Sequence, residues 1–302
     1  MKKFFVLLQP KKKKKTKMKR KKKNKRSGYS LIVTAVLVFG LTLLTLAKNW
    51  NGNTEEVYDA AARNATAALN DNGAQDESIM MPAALKDRPE MILRRKSYVV
   101  SYNKETLQPN WVAWHLTATH ADGQIERSSG FKEDKEVPEP RATLEDYKKS
   151  GWSRGHMCPA GDNKWDEHSM KETFLLTNIC PQNSKLNSGL WNSLEMDCRQ
   201  WAKEYGDIYI VCGPVFTKKE HETIGKNKVV VPEAFFKVVL CMNGKPKAFG
   251  IIVRNTEGNK KKDLYYNSVN QVERITGIDF FTALPDEIEE KVEAEVNMNL
   301  WN

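Results

Sequence analysis

The part of the chain that decides its architecture reads Asn178-Ile-Cys-Pro-Gln-Asn-Ser-Lys-Leu-Asn-Ser-Gly-Leu-Trp-Asn-Ser-Leu-Glu195. It follows a second dense stretch, Ser153-Arg-Gly-His-Met-Cys-Pro-Ala-Gly-Asp162. From Leu190 to Tyr205 apolar residues recur at helical spacing, and Gly206 follows as a stop signal. The pattern predicts a strand that leads directly into an amphipathic helix over 173–205, with site-type polar residues at the junction.

Around this segment the chain alternates β-forming and helical patterns. Strands are predicted where β-branched and aromatic residues cluster between polar turns, and a short acidic helix is predicted near the end. The predicted strands are Lys96–Tyr102, Asn110–Thr117, Thr173–Asn178, Asp207–Cys212 and Ala234–Cys241, and the helix is Pro285–Val296. The expected fold is therefore α+β, with a mixed or antiparallel sheet and helices.

The charge of the chain is concentrated in its first residues. Residues 1–26 hold 15 of the 48 Lys and Arg and no acid, so the remaining chain carries 33 basic against 38 acidic residues. The body, residues 95–285, is nearly neutral, with a net charge of +3. Bulk charge therefore gives no argument for nucleic-acid binding, which has to rest on a site.

Composition excludes several other classes of protein. With 40% hydrophobic residues and eight Trp the chain can bury a large core, so global disorder is excluded. Five Cys are too few for a disulfide scaffold, and no Cys or His cluster has zinc-ligand spacing.

The first 94 residues predict a membrane-spanning segment followed by a spacer. Residues 29–47 contain no charge and are long enough to cross a bilayer as a helix. The basic tail, residues 1–28, predicts a cytoplasmic N-terminus, which places everything after Ala47 outside. A cleaved signal peptide is the alternative, which the long basic lead argues against. Residues 48–94 are expected to be a tether and residues 286–302 an acidic C-terminal helix or tail.

The two dense stretches carry a family resemblance. Together with Pro109-Asn-Trp-Val-Ala, Gly213-Pro-Val-Phe216 and Val231-Pro-Glu-Ala-Phe-Phe-Lys237, they occur in the order found in the DNA/RNA non-specific endonucleases. This ββα-metal family is that of mitochondrial endonuclease G, and the chain resembles it over about 95–285. The resemblance implies a ββα-metal active site and hydrolysis of phosphodiester bonds in DNA and RNA.

Three residues are candidates for the base and for the positive charge that such hydrolysis needs. His156 matches the catalytic histidine, and its ordinary pKa near 6.5 suits a base at neutral pH. Arg154 belongs to the same motif. Arg127, 29 residues before His156, is the best candidate for the arginine that neutralises the phosphorane. The alternatives are a histidine in the core and an ordinary surface arginine.

The resemblance implies that Asn187 is the one protein ligand of a metal that otherwise keeps its waters, which suits Mg²⁺, with Mn²⁺ as a second candidate. Asn187 also suits the N-cap of a helix. Glu195 lies about 80° round and roughly 12 Å along an ideal helix from Asn187, so it is expected to hold a water of the metal rather than the metal itself. Outside this context Glu195 would be a solvated surface charge.

Five further positions bear on the resemblance to this family. Asn178 and Gln182 correspond to family residues that line the site and fix His156 or its waters, and turn hydrogen bonding is their alternative role. Ser153 stands where the family usually has Asp, which removes a charge but keeps a hydrogen-bonding group. Cys158 and Cys180 are slightly favoured as a disulfide over two buried thiols.

The sequence therefore predicts a single-pass membrane protein with a cytoplasmic N-terminus and an extracytoplasmic Mg²⁺-dependent endonuclease that cuts DNA and RNA with little sequence preference. The first alternative is a non-catalytic nucleic-acid-binding relative, which Ser153 permits and which the retained His156, Asn187 and Glu195 oppose. The second is a structural envelope protein, which would leave the clustered polar residues without a role.

Overall fold

The computed structural model describes residues 73–128 and 130–301. The predicted cytoplasmic tail, the membrane span 29–47 and most of the tether lie outside these residues. Within the described ranges, no helix combines the length and the apolar character needed to span a bilayer.

A seven-stranded antiparallel sheet forms the centre of the fold, in the order β1-β2-β3-β6-β9-β10-β11. Its strands are β1 Met91–Arg94, β2 Val99–Asn103, β3 Gln108–Thr117, β6 Asp207–Val215, β9 Ala234–Cys241, β10 Lys247–Arg254 and β11 Tyr266–Asn267. Two small hairpins pair β4 Ser153–His156 with β5 Ile179–Gln182, and β7 Thr223–Ile224 with β8 Val229–Val230.

Helices cover both faces of the sheet. They are α1 Gly73–Met80, α2 Ala118–Ala121, α3 Leu144–Tyr147, α4 Glu167–Glu172, α5 Ser184–Leu186, α6 Asn192–Tyr205, α7 Val269–Thr276 and α8 Asp286–Ala294. Short 3₁₀ turns span Ala160–Asn163, Leu176–Asn178, Lys262–Leu264 and Met298–Trp301, and a π-helical turn spans Asn187–Trp191. The α+β class and the antiparallel sheet are confirmed.

The sheet separates two apolar cores because successive strand residues point to opposite faces. Trp114 and Ile210 lie in the first core, where they join Leu194 of α6. Trp111 lies in the second core with Ile288 of α8. The active-site elements β4, β5 and α6 stand on the first side, while α1, α7 and α8 cover the second.

Several strand and helix predictions are confirmed. The strand Ala234–Cys241 has the predicted bounds, and its eight residues are all buried. Helix α6 ends at Tyr205, where Gly206 adopts a positive φ of 98° and closes the last turn onto Ala202. The acidic helix near the C-terminus is also present, with Ile288 and Val292 buried against the second core.

The predicted strand at 173–178 is wrong. This stretch contains turns, in which the amide of Phe174 donates to Lys171 and the amide of Asn178 to Leu175. Its only β pairing among the described residues is an isolated bridge between Leu175 and Lys132, and Phe174 and Leu176 are buried without forming a strand. The strand that enters the helical segment begins only at Ile179.

The start of the folded domain also differs from the prediction. Residues 95–98 form a tight turn, closed by the amide of Arg95 on the carbonyl of Tyr98, so the second strand begins at Val99. The strand Met91–Arg94 and the buried Ile79 lie in the segment assigned to the tether. The packed body therefore begins before residue 95.

The predicted bond between Cys158 and Cys180 is wrong, since all five cysteines are free and buried. Cys180 is paired with Gly155 across the β4–β5 ladder, whereas Cys158 lies three residues further along. Cys158 lies beyond the end of β4, so the hairpin register does not place it opposite Cys180.

Candidate active site

Strand β4 presents His156 from the β4–β5 hairpin, where it is paired with Ile179. The imidazole is 7% exposed and is held between two aromatic rings. Its centroid lies 5.3 Å from that of Phe131 and 4.9 Å from that of Phe174, the latter in an edge-on arrangement. Its Nε2 atom is buried without a hydrogen-bond partner among the described residues. The described residues thus leave this ring nitrogen without a fixed hydrogen bond.

Asn178 fixes the backbone that follows His156. Its Oδ1 accepts from the amide of Cys158 at 2.9 Å, and its Nδ2 donates to the carbonyls of Cys158 and Thr173 at 2.9 and 2.8 Å. The side-chain amide is therefore engaged by the backbone on both sides. Asn178 positions the segment after His156 and is absent from the lining of the catalytic pocket described below.

Gln182 lies behind β4 rather than in the pocket. It is fully buried opposite Ser153, and neither its Oε1 nor its Nε2 has a hydrogen-bond partner among the described residues. Its side chain occupies the space next to Gly155, where any Cβ would collide with it. The glycine of the Ser-Arg-Gly-His motif is thus required for close packing of the hairpin.

A break in the helical segment brings Asn187 and Glu195 to one pocket. The N-cap is Asn183, whose Oδ1 accepts from the amides of Lys185 and Leu186 at 3.0 and 3.2 Å, so the capping role considered for Asn187 is wrong. Asn187 begins the π-helical turn, in which Gly189 leaves helical geometry at φ −102° and ψ −107°. The offset expected for one ideal helix therefore does not apply. Such π turns occur frequently at functional sites.

The catalytic pocket is a cavity of about 340 Å³. Five of the seven residues predicted for the site line it, and Asn178 and Gln182 do not. The five are Arg127, Arg154, His156, Asn187 and Glu195.

The two arginines stand over the aromatic rings that hold the imidazole. The guanidinium of Arg154 lies 4.4 Å from the centroid of Phe131, and that of Arg127 lies 5.3 Å from the centroid of Phe174. Both arginine side chains are exposed. Stacking of this kind orients a guanidinium without neutralising it, so both charges remain available to an anion.

The pKa of His156 is lowered to about 3, first by burial and then by the positive charges of Arg127 and Arg154. This differs from the ordinary value used in the sequence argument. The imidazole is consequently neutral throughout the physiological pH range, and it is the unprotonated form that serves as a base.

Glu195 titrates in a charged environment that the sequence did not indicate. Burial raises its pKa to about 7, while the buried ammonium of Lys237 counteracts the increase and Asp162 adds to it. The Lys237 ammonium lies 4.9 and 4.7 Å from the ring centroids of Trp114 and Trp191. Lys237 therefore supports the ionised form of Glu195 from within the core.

Asp162 and Arg199 form an ion pair among the charged groups that act on Glu195. Arg199 donates to one carboxylate oxygen of Asp162 at 2.8 Å, and Trp114 Nε1 donates to the other at 3.1 Å. Sequence reasoning missed Lys237, Asp162 and Arg199 as contributors to the site. The available signal was a lysine inside the otherwise apolar Ala234–Cys241 strand, where a solitary charge requires partners.

The oxygen atoms of the pocket suit a hard divalent cation. Asn187 offers an amide oxygen, Glu195 offers a carboxylate, and the cavity has room for water. In the described part of the chain no group of three or more His, Cys, Asp or Glu could hold a metal. The donor set thus fits a cation such as Mg²⁺, which keeps much of its hydration shell, better than zinc.

Comparison with known proteins agrees with this geometry. The sequence profile of the DNA/RNA non-specific endonucleases matches residues 79–287. The chain belongs to the DNA/RNA non-specific endonuclease family.

Named relatives in this family are nucleases. Mitochondrial nuclease EXOG of Danio rerio is 40% identical over 205 residues, which cover 62% of this chain and 60% of that protein. Nuclease C1 of Cunninghamella echinulata is 36% identical over 209 residues, covering 64% of this chain and 83% of that protein. The chain thus spans less than two thirds of the length of the EXOG relative.

The chain is also similar to a solved structure, that of an EndoG/EndoGI complex reported with the mechanism of EndoG inhibition. It superposes with a TM-score of 0.64 at 28% identity, over 70% of this chain and 93% of that one.

Proposed function

We propose that the chain is an endonuclease that hydrolyses phosphodiester bonds in DNA and RNA with little sequence preference. The observation that carries the proposal is the neutral, buried His156, which shares one pocket with Arg127 and Arg154 and whose Nε2 is left unpaired by the described part of the chain. The two exposed guanidinium groups suit phosphate oxygens. Contacts to phosphate position a nucleic acid without reading its sequence.

The residues of the pocket divide the reaction between them. The imidazole of His156 accepts the proton of the attacking water. Arg127 and Arg154 stabilise the negative charge that develops on the phosphoryl oxygens, and Glu195 orients water in the same pocket. When bound at Asn187, Mg²⁺ or Mn²⁺ would act as a Lewis acid on the leaving 3′ oxygen. The products then carry 5′-phosphates.

Digestion of plasmid DNA and of RNA tests this function. We expect both substrates to be degraded in Mg²⁺, and we expect EDTA to stop the reaction. Replacement of the base, His156→Ala, should lower turnover by about 10²–10⁴-fold while nucleic-acid binding stays close to that of the parent. Undiminished cleavage in chelator would refute the metal requirement, and binding without cleavage by the parent would favour a non-catalytic family member.

We further propose that residues 29–47 anchor the enzyme in a membrane, with residues 1–28 in the cytoplasm and the catalytic body outside. The support is the uncharged 19-residue segment directly after the basic block. Alkaline extraction should leave the protein in the membrane fraction, and external protease should digest the body in intact cells. Recovery of a soluble protein that lacks residues 1–47 would instead show secretion after signal cleavage.

A further inference from the structure

A groove adjoins the catalytic pocket, and apart from the residues that it shares with the pocket, its lining has no part in the chemistry described above. Its volume is about 640 Å³, and it shares Arg154 and Asn187 with the pocket. The other residues that matter here are Lys148, Lys149 and Trp152, which lie on the turn before β4. We call this depression the flanking groove. Because two lining residues are common to both cavities, a polymer bound at the pocket can continue into it.

One lysine of the groove carries an uncompensated charge. Lys148 is paired with Glu145 at 3.2 Å, so its charge is largely balanced. Lys149 is exposed, and its side chain makes no hydrogen bond or ion pair with any described residue. The free ammonium of Lys149 is therefore available to an anionic ligand.

The backbone holds this lysine in an unusual conformation. Lys149 has a φ of 56°, in the left-handed region that non-glycine residues rarely adopt. The surrounding turn is fixed, because Ser150 Oγ donates to the carbonyl of Tyr147 at 2.9 Å and Tyr147 Oη donates to the carbonyl of Ile179 at 3.3 Å. Ile179 is the strand partner of His156. A strained turn tied to the catalytic strand is typical of a binding element.

The indole of Trp152 is also held in place. Its Nε1 donates to Glu222 Oε1 at 2.9 Å, and its backbone amide donates to Ser150 Oγ at 3.1 Å. The ring is only partly buried and lines the groove. A fixed, partly exposed indole beside a free ammonium matches the combination with which proteins bind single-stranded nucleic acid, by base stacking and phosphate contact.

We propose that the flanking groove binds an unpaired nucleotide next to the scissile phosphate, with its base stacked on Trp152 and a phosphate at Lys149. The proposal rests on the phosphodiesterase function proposed above and adds to it a preference for single-stranded segments. A paired and stacked base within a duplex has no free face to offer Trp152. The stacking contact therefore distinguishes single-stranded from duplex substrates.

Binding of labelled oligonucleotides to the full chain in detergent tests the proposal. Measurements use the His156→Ala background in Mg²⁺, and the probes are an oligothymidylate of about ten nucleotides, an abasic strand of equal length and a blunt duplex. We expect Trp152→Leu to weaken oligothymidylate binding about tenfold and to leave the abasic strand and the duplex unchanged. Trp152→Phe, which keeps an aromatic face, should restore most of the affinity.

Removing the charge of Lys149 should change nucleic-acid binding in a different way. We expect Lys149→Gln to weaken all three probes and to reduce the slope of log affinity against log salt by about 0.7 for the single strands. The exposed Lys86, which lies outside the groove, supplies the matched control, and Lys86→Gln should leave both quantities unchanged.

Equal losses for thymidylate and abasic strands, or no loss in Trp152→Leu, would overturn the stacking contact. An unchanged salt slope in Lys149→Gln would overturn the phosphate contact. Because the background variant lacks the base, these binding results can be read whether or not the parent hydrolyses nucleic acid. A failure of the groove is thus distinct from a failure of the proposed function.

Discussion

The low pKa of His156 predicts a pH-dependent loss of stability that can be measured without substrate or metal. The folded-state pKa is about 3, and the ordinary value is 6.5. Between these values the unfolded chain binds a proton that the folded chain does not, so the free energy of unfolding falls as pH falls below 6.5. Each pH unit corresponds to about 1.4 kcal/mol. At about pH 5, wild-type protein should therefore have lost about 2 kcal/mol through this one residue.

The assay is urea unfolding of wild type and His156→Leu in EDTA, at about pH 7.5 and about pH 5. Carboxylates elsewhere titrate in both proteins, so their effect cancels in the difference between the two. The stability advantage of wild type over the variant should shrink by about 2 kcal/mol at the lower pH.

Two outcomes would refute the reasoning. If the difference between wild type and His156→Leu is the same at both pH values, the imidazole does not have a depressed pKa in the folded protein. If Arg127→Gln leaves the pH dependence of wild type unaltered, the arginine charge does not contribute to the depression. Burial and the charge of Arg154 would then account for the low pKa.

Three further outcomes follow from the surroundings of the pocket. Lys237→Met should raise the pKa of Glu195 further, because the ammonium counteracts the effect of burial. The acidic limb of the pH–rate profile should then move to higher pH. An unshifted limb would show that Lys237 does not act on Glu195. Ser153→Asp should leave turnover nearly unchanged, because Ser153 does not line the catalytic pocket. The new carboxylate should raise the pKa of His156 slightly by favouring its charged form. A tenfold gain in turnover at every pH would contradict this expectation. Deletion of residues 1–26 should preserve the specific activity of the purified enzyme, and a large loss would make the basic tail a substrate-binding arm.

Local patterns were sufficient where local forces decide the structure. The apolar stripe from Leu190 to Tyr205 gave the helix, and Gly206 gave its end, since spacing and a positive φ are properties of neighbouring residues. The helix and its end needed no knowledge of distant contacts. The two dense stretches, through their resemblance to the family, supplied four of the five predicted residues that line the pocket, and Arg127 came from a separate upstream segment.

Contacts that local sequence patterns do not show account for the errors. The apolar run after Thr173 reads as a strand, but the amide of Asn178 bonds to Thr173 and to Cys158 across the chain and stabilises turns instead. The cysteine pairing failed because the hairpin register places Cys180 opposite Gly155. The role of Lys237 depends on Trp114 and Trp191, neither of which is near it in sequence.

The electrostatics of the pocket connect substrate binding to the strength of the base. Burial and the charges of Arg127 and Arg154 hold the pKa of His156 low, which keeps the imidazole neutral but makes it a weak base. A phosphate bound between the two arginines supplies negative charge where they act on the imidazole. That charge offsets the arginine contribution, so the pKa of His156 rises when a substrate phosphate is in place. The burial contribution remains because it comes from Phe131 and Phe174. The same arginines that position the phosphate therefore let the imidazole regain part of its basicity only in the occupied site, where the attacking water has a phosphorus atom to reach.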